Sequence, residues 1–148
     1  MSDILPFAVD KLHKILVPID GSKKSFEALD RALTLAGFTH GEVTCLNVIP
    51  HVIKEGGPRT KAMDTQIISE GNILLKKASQ HAGNKNVHFK TKIIRGSPSV
   101  EIIKLSQSGK FDDIVMSTTG SGSATGEMLG SVSNYVLHKS KIPVYLIK

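Results

Sequence analysis

Asp112-Asp113-Ile114-Val115-Met116-Ser117-Thr118-Thr119-Gly120, followed after nine residues by Gly130-Ser131, is the stretch that decides the fold. Its apolar run is too short for a helix and reads as a buried strand. Beyond it lie Gly120, Gly122, Gly126 and Gly130 with the hydroxyls of Ser121, Ser123, Thr125, Ser131 and Ser133, and then an apolar helical pattern over roughly 129–139. A strand that passes through a loop of small residues into a helix start is shaped for phosphate. Glycines let the backbone come close to a ligand, and the N–H groups of a helix N-terminus favour an anion.

Working outward, the same alternation covers the rest of the chain. Ile15-Leu16-Val17-Pro18-Ile19 is a continuous apolar strand that ends in Asp20-Gly21-Ser22, a turn with Ser22 placed to cap a helix. Phe26, Ala28, Leu29, Ala32, Leu33 and Ala36 then recur at helical spacing, and Gly37 is placed to close that helix. Residues 43–49 form a second apolar strand. After Pro50 and a loop with Gly56-Gly57-Pro58, a long helix over roughly 60–82 buries Ile67, Leu74, Leu75 and Ala78, weakened slightly by Gly71. The third strand, Val87 to Ile93, alternates apolar and basic residues, as suits a sheet edge whose lysines discourage further pairing. Arg95-Gly96 turns the chain, and Ser97-Pro98 opens a helix carrying Val100, Ile103 and Leu105. The closing strand is Ile142 to Ile147.

Five strands alternating with helices predict an α/β fold with an open parallel sheet and helices on both faces. With the lysine-bearing third strand at one edge, the strand order 3-2-1-4-5 follows, and the switch point falls between strands one and four. Ligands bind there, at the carboxyl ends of the strands. Pro18-Ile19-Asp20 is thereby brought beside Met116-Ser117 and the glycine loop. Residues 1–13 have no clean period and read as a leader to a single domain over 14–148.

Composition sets bounds on function. A chain of 148 residues, 40% hydrophobic and 22% charged, is ordinary for a soluble globular protein. Met1-Ser2-Asp3 opens no signal peptide, so the cytoplasm is the expected compartment. The net charge of +6 is spread in ones and twos, and aromatic residues are only 5% of the chain, so no dedicated nucleic-acid site is expected. Cys45, the single cysteine, lies in an apolar strand and reads as a buried structural thiol. The six histidines show no ligand spacing, and a surface role is expected for each.

Competing nucleotide signatures fail on spacing. Gly120-x-Gly122-x-x-x-Gly126 follows the fourth strand, whereas a dinucleotide fingerprint follows the first. A Walker A loop needs Gly-Lys-Ser/Thr, but Glu127 follows Gly126 and Ser131 follows Gly130. A phosphate-accepting receiver domain needs an acid after strand three, where Arg95-Gly96 stands. No G-x-S-x-G elbow joins a strand to a helix.

Ser117-x-x-Gly120-x9-Gly130-Ser131, with Ile15 to Ser22, the Gly96-Ser97-Pro98 turn and Gly130-Ser131-Val132-Ser133-Asn134-Tyr135-Val136 before Ile142-Pro143-Val144, resembles the ATP-binding branch of the universal stress protein family. The resemblance runs from Lys14 to Lys148 and implies a Rossmann-like fold of the adenine nucleotide alpha hydrolase type. That branch writes its loop G-x-x-G-x9-G-S/T, so Ser117 stands where its first glycine is expected. Serine suits the position if its φ is negative and costs about 1 kcal/mol or more if φ is positive.

The resemblance implies a regulatory protein of the stress response that holds ATP, or ADP or AMP, with Mg on the phosphates left open. Asp20 would accept hydrogen bonds from ribose or adenine, with Pro18, Ile19, Val48 and Met116 around the nucleoside. Ser117, Gly120, Gly130, Ser131, Val132 and Ser133 would serve the phosphates. Simpler roles stand beside these: Asp20 anchors its own turn, and Val48 and Met116 fill the core. A slow hydrolase or self-phosphorylating protein, and a nucleotide-free dimerisation module, are the alternatives. The apolar last strand, Val144-Tyr145-Leu146-Ile147, is an edge that a second copy would cover, and the family commonly dimerises through it.

Overall fold

The computed structural model describes residues 11–49, 61–83, 85–119 and 129–148. Strands β1 (Lys14–Pro18), β2 (Glu42–Ile49), β3 (His88–Arg95), β4 (Asp113–Ser117) and β5 (Val144–Ile147) alternate with helices α1 (Lys23–Thr39), α2 (Lys61–Ala82), α3 (Pro98–Ser108) and α4 (Ser131–Lys139). The strands form one sheet in the order β3-β2-β1-β4-β5, as expected, and every pairing is parallel.

The unbroken apolar strands are explained by burial on both faces. Side chains alternate across a strand. Ile15, Val17, Val43, Cys45 and Val115 point to the side covered by α1 and α2, where they meet Leu29, Leu33, Leu75 and Ala78. Leu16, Leu46, Ile114 and Met116 point to the other side, against Ile102 and Leu105 of α3 and Val136 of α4. Each fully buried side chain of this size contributes roughly 1.5–3 kcal/mol. Burial also pushes the Cys45 thiol up to about 12, so at neutral pH it stays protonated and behaves as a small hydrophobe.

At β3 the alternation is real and the strand is an edge. Phe89 and Ile93 pack on the α2 side, while His88, Lys90 and Lys92 are exposed. Lys90 reaches back to the buried Glu42 carboxylate at 3.3 Å.

Several local expectations are corrected. Helix α1 does not stop at Gly37. It runs to Thr39 and ends at His40, which takes the left-handed conformation (φ 53°) and donates its N–H to the Ala36 carbonyl. Ser97 does hold the N-cap position of α3 with Pro98 first in the helix, as expected, but without a side-chain bond. The buried face of α3 carries Ile102, absent from the expected set. Gly71 is no simple weakness in α2: a Cβ there would stand 3.0 Å from Asn47 Oδ1 and 3.3 Å from Ile93 Cδ1, so glycine lets the helix lie close on β2 and β3.

Asp112 and Asp113 lie at the end of the sheet opposite the carboxyl ends of the strands, and they fasten the start of β1. Asp113 pairs with His13, whose other ring nitrogen lies 2.7 Å from Thr39 Oγ1. The Lys14 N–H donates to Asp112 Oδ2 at 2.9 Å. His13 therefore ties three segments together, contrary to the surface role expected of it.

Residues 1–10 of the expected leader, the Gly56-Gly57-Pro58 loop and the loop residues Gly120, Ser121, Gly122, Ser123, Thr125 and Gly126 lie outside the described residues.

Candidate functional site

A cavity of about 810 Å³ opens at the carboxyl ends of the strands, where β1 and β4 are neighbours. That volume suits a small-molecule site. Of the residues singled out from sequence, Pro18, Ile19, Asp20, Val48, Met116, Ser117, Gly130, Ser131, Val132 and Ser133 all line it. Gly120 lies outside the described residues.

The end of β1 builds one side. The Ile19 N–H donates to the Leu46 carbonyl (2.8 Å), and Asn47 Nδ2 donates to the Ile19 carbonyl (3.0 Å), which clamps Ile19 to β2. Asp20 follows, exposed on the cavity wall. Its Oδ1 accepts from the Ser22 N–H at 2.9 Å, and Gly21 between them has φ 90°, a conformation that favours glycine. Asp20 thus does anchor its own turn, while facing the cavity. Ser22 caps α1: its Oγ accepts from the Ser25 N–H at 3.1 Å.

Val48 and Met116 serve packing and cavity together. Met116 is buried in the core on the α3 side, and Val48 is partly buried against the same cluster. Ser117 is the last residue of β4 and is paired with Ile147. Its φ is not positive, so serine sits there without the backbone strain that was the condition on this position. Its hydroxyl donates to the Thr119 carbonyl at 2.7 Å.

Helix α4 supplies the opposite side. Gly130 is its N-cap residue in extended conformation (φ −65°, ψ 161°), no side chain caps it, and its first turn holds no acidic residue. The N-terminal dipole of α4 is therefore directed at the cavity that Gly130 to Ser133 line. The ionisable side chains among the described lining residues are Asp20 and Glu70, both acidic. Among the described residues an anion would rely on backbone N–H groups, and hydroxyl or amine groups would suit the carboxylates.

Sequence reasoning missed the roof. Ile67, Glu70, Gly71 and Leu74 of α2, with Pro98 and Ile102 of α3, also line the cavity. Ile67 and Leu74 were expected on the buried face of α2; that this face reaches past the strand ends to the site is a matter of helix placement. Asn47 could have been suspected as a polar residue near the carboxyl end of a largely apolar strand.

The family model of the universal stress protein family matches residues 11–148. This chain belongs to that family. A universal stress protein of Methanocaldococcus jannaschii is 32% identical over 138 residues, covering 91% of this chain and 81% of its own length. UspA from Lactobacillus plantarum has the same fold at 24% identity, with a TM-score of 0.78 over 93% of this chain and 99% of its own. Two further members of like fold are nucleotide complexes. One, a universal stress protein with cAMP, is 21% identical, with a TM-score of 0.73 over 92% of this chain and 97% of its own. The other, from Archaeoglobus fulgidus with dAMP, is 18% identical, with a TM-score of 0.71 over 93% and 98%. No helix among the described residues is long and apolar enough to cross a membrane.

Proposed function

We propose that this universal stress protein is a homodimeric regulator that holds an adenine nucleotide, ATP foremost, in the cavity between β1 and β4. The observation that carries the reading is the start of α4, which has neither a side-chain cap nor an acidic first turn and faces the same cavity as Asp20 and Met116. Asp20, with Pro18, Ile19, Val48 and Met116, takes the nucleoside. The N–H groups of Ser131, Val132 and Ser133 take the phosphates, with Gly130 as the cap residue that has no side chain in their way and Ser117 and Gly120 at the other end of the loop. The strand conformation of Ser117 favours this reading over a nucleotide-free module. The cAMP and dAMP complexes of other family members favour an adenine nucleotide.

The test is to release and identify whatever copurifies with the native protein, and to melt it with Mg-ATP and with ATP in EDTA. Stoichiometric ATP, ADP or AMP supports the proposal. No copurified nucleotide together with an unchanged Tm in millimolar Mg-ATP would sink it, because a ligand at one hundred times its Kd stabilises by about 2.7 kcal/mol. An equal shift in EDTA would remove Mg from the reading. Product formation over hours separates a holder of ATP from a slow hydrolase.

The dimer would form on β5, at the free edge of the sheet. Tyr145 there is 48% exposed, and Tyr135 and Leu137 of the adjoining α4 are exposed as well. The opposite edge, β3, carries exposed lysines instead. Light scattering should give twice the chain mass, and Tyr145→Glu should give the monomer.

A further inference from the structure

The Thr118 peptide is where β4, β5 and α4 meet. Its N–H donates to the Ile147 carbonyl of β5 at 3.0 Å. Its carbonyl accepts twice, from the Gly130 N–H at 2.8 Å and from Ser133 Oγ at 2.7 Å. Residues 118 and 130 bracket the glycine loop, so these bonds set the distance between its two ends. Thr118 and Ser133 are both buried, at 7% and 2% exposure, where water competes poorly for the bonds.

A serine hydroxyl has one proton. That of Ser133 is directed at the Thr118 carbonyl, with the Gly130 carbonyl as a second acceptor at 3.1 Å. A phosphate oxygen accepts hydrogen bonds and needs a donor, and this hydroxyl has no second proton to offer. The Ser133 backbone N–H belongs to the start of α4, whereas its hydroxyl is engaged behind it.

Resting on the adenine-nucleotide reading above, we propose that Ser133 is a positioning residue: its hydroxyl locks the first turn of α4 to the Thr118 carbonyl and so fixes the phosphate-binding N–H groups, without itself contacting phosphate. The lock is part of the protein before any ligand arrives. Preformed donors need no reordering when an anion binds, so losing the lock lowers affinity without removing a ligand contact.

The experiment compares wild type, Ser133→Ala and Ser133→Thr by residue-resolved amide exchange without nucleotide, and by titration with adenosine, AMP and ATP. In Ser133→Ala the Gly130 N–H is expected to exchange about tenfold faster, and AMP and ATP to bind about tenfold more weakly. Adenosine, which has no phosphate, should bind nearly as before, and Ser133→Thr, which keeps the hydroxyl, should restore the slow exchange. Unchanged Gly130 exchange in Ser133→Ala overturns the proposal, and weaker ATP binding alongside it would make the hydroxyl a direct phosphate ligand. Should wild type bind no nucleotide, the functional reading fails, and exchange alone still decides whether the lock exists.

Discussion

Two strand-to-helix junctions flank the switch point, and they spend their polar groups differently. At the β1–α1 junction the side chains turn inward on the backbone: Asp20 accepts from Ser22, and Ser22 accepts from Ser25. At the β4–α4 junction the N-cap is a glycine without a side chain to offer, and the serine hydroxyls bond carbonyls instead of N–H groups. The cap of α1 satisfies the Ser25 N–H, one of that helix's first-turn donors. Helix α4 directs its first-turn donors at the cavity while the Ser133 hydroxyl stiffens the frame behind them. Under the proposed function, the difference separates a helix start that closes on its own side chains from one that serves a ligand.

The sharpest way to break the comparison is to give α4 the cap that it lacks. A Cβ at Gly130 would meet the Thr118 carbonyl at 3.4 Å, Ser133 Oγ at 3.6 Å and Thr119 Cα at 3.8 Å, all ordinary contacts, and the backbone there suits any residue, so Gly130→Asp fits. Asp exceeds Gly as an N-cap by only a few tenths of a kcal/mol, so Tm should hold or rise slightly. Its charge would stand where phosphate is proposed to bind. At about 4 Å and an effective dielectric near 20, two like unit charges repel by roughly 4 kcal/mol. Allowing for relaxation and water, ATP affinity should fall about a hundredfold or more. Calorimetric titration beside thermal melting checks both halves, and unchanged ATP binding would dissociate the start of α4 from the ligand.

The converse change acts at β1–α1. Ser22→Ala removes the cap that satisfies the Ser25 N–H and should lower stability by about 1 kcal/mol. ATP affinity should stay within about twofold, because the hydroxyl of Ser22 is engaged with the backbone of α1 and the lost interaction is local. Urea unfolding and the same titration measure the two effects. A large loss of affinity would mean that the α1 start also serves the ligand.

The division between these junctions was partly legible in the sequence. Strand order could be read because both kinds of strand were distinct: β1, β2 and β4 are apolar on successive residues, as burial on two faces requires, whereas Lys90 and Lys92 mark β3 as an edge. Placing those strands brought Asp20 and Met116 to one cavity although they are far apart in the chain. What could not be read depends on tertiary placement. Gly71 is the same residue whether it weakens a helix or admits a neighbouring strand, and only the nearness of Asn47 and Ile93 decides between them. Gly37 is a plausible stop, but His40 accepts the left-handed conformation and α1 continues to Thr39. Glu70 carries no local mark of a site; it reaches the cavity because α2 overhangs the strand ends. The Thr118 carbonyl, where loop and helix are joined, belongs to the backbone and has no signature in sequence at all.

The smallest expected effect concerns Ser117, where the family's ATP-binding motif has glycine. Restoring that motif with Ser117→Gly removes the hydroxyl bond to the Thr119 carbonyl and adds backbone freedom to a strand residue, which costs roughly 0.5–1 kcal/mol. The backbone at 117 is already extended and free of positive φ, so glycine relieves no strain. ATP affinity should therefore change by less than about threefold while urea stability falls, since serine already holds the extended backbone at this position. A tenfold gain in affinity would instead show that the serine side chain obstructs the phosphates. The β4–α4 junction would then be an anion site held partly shut by its own strand end, and its contrast with β1–α1 would be one of degree.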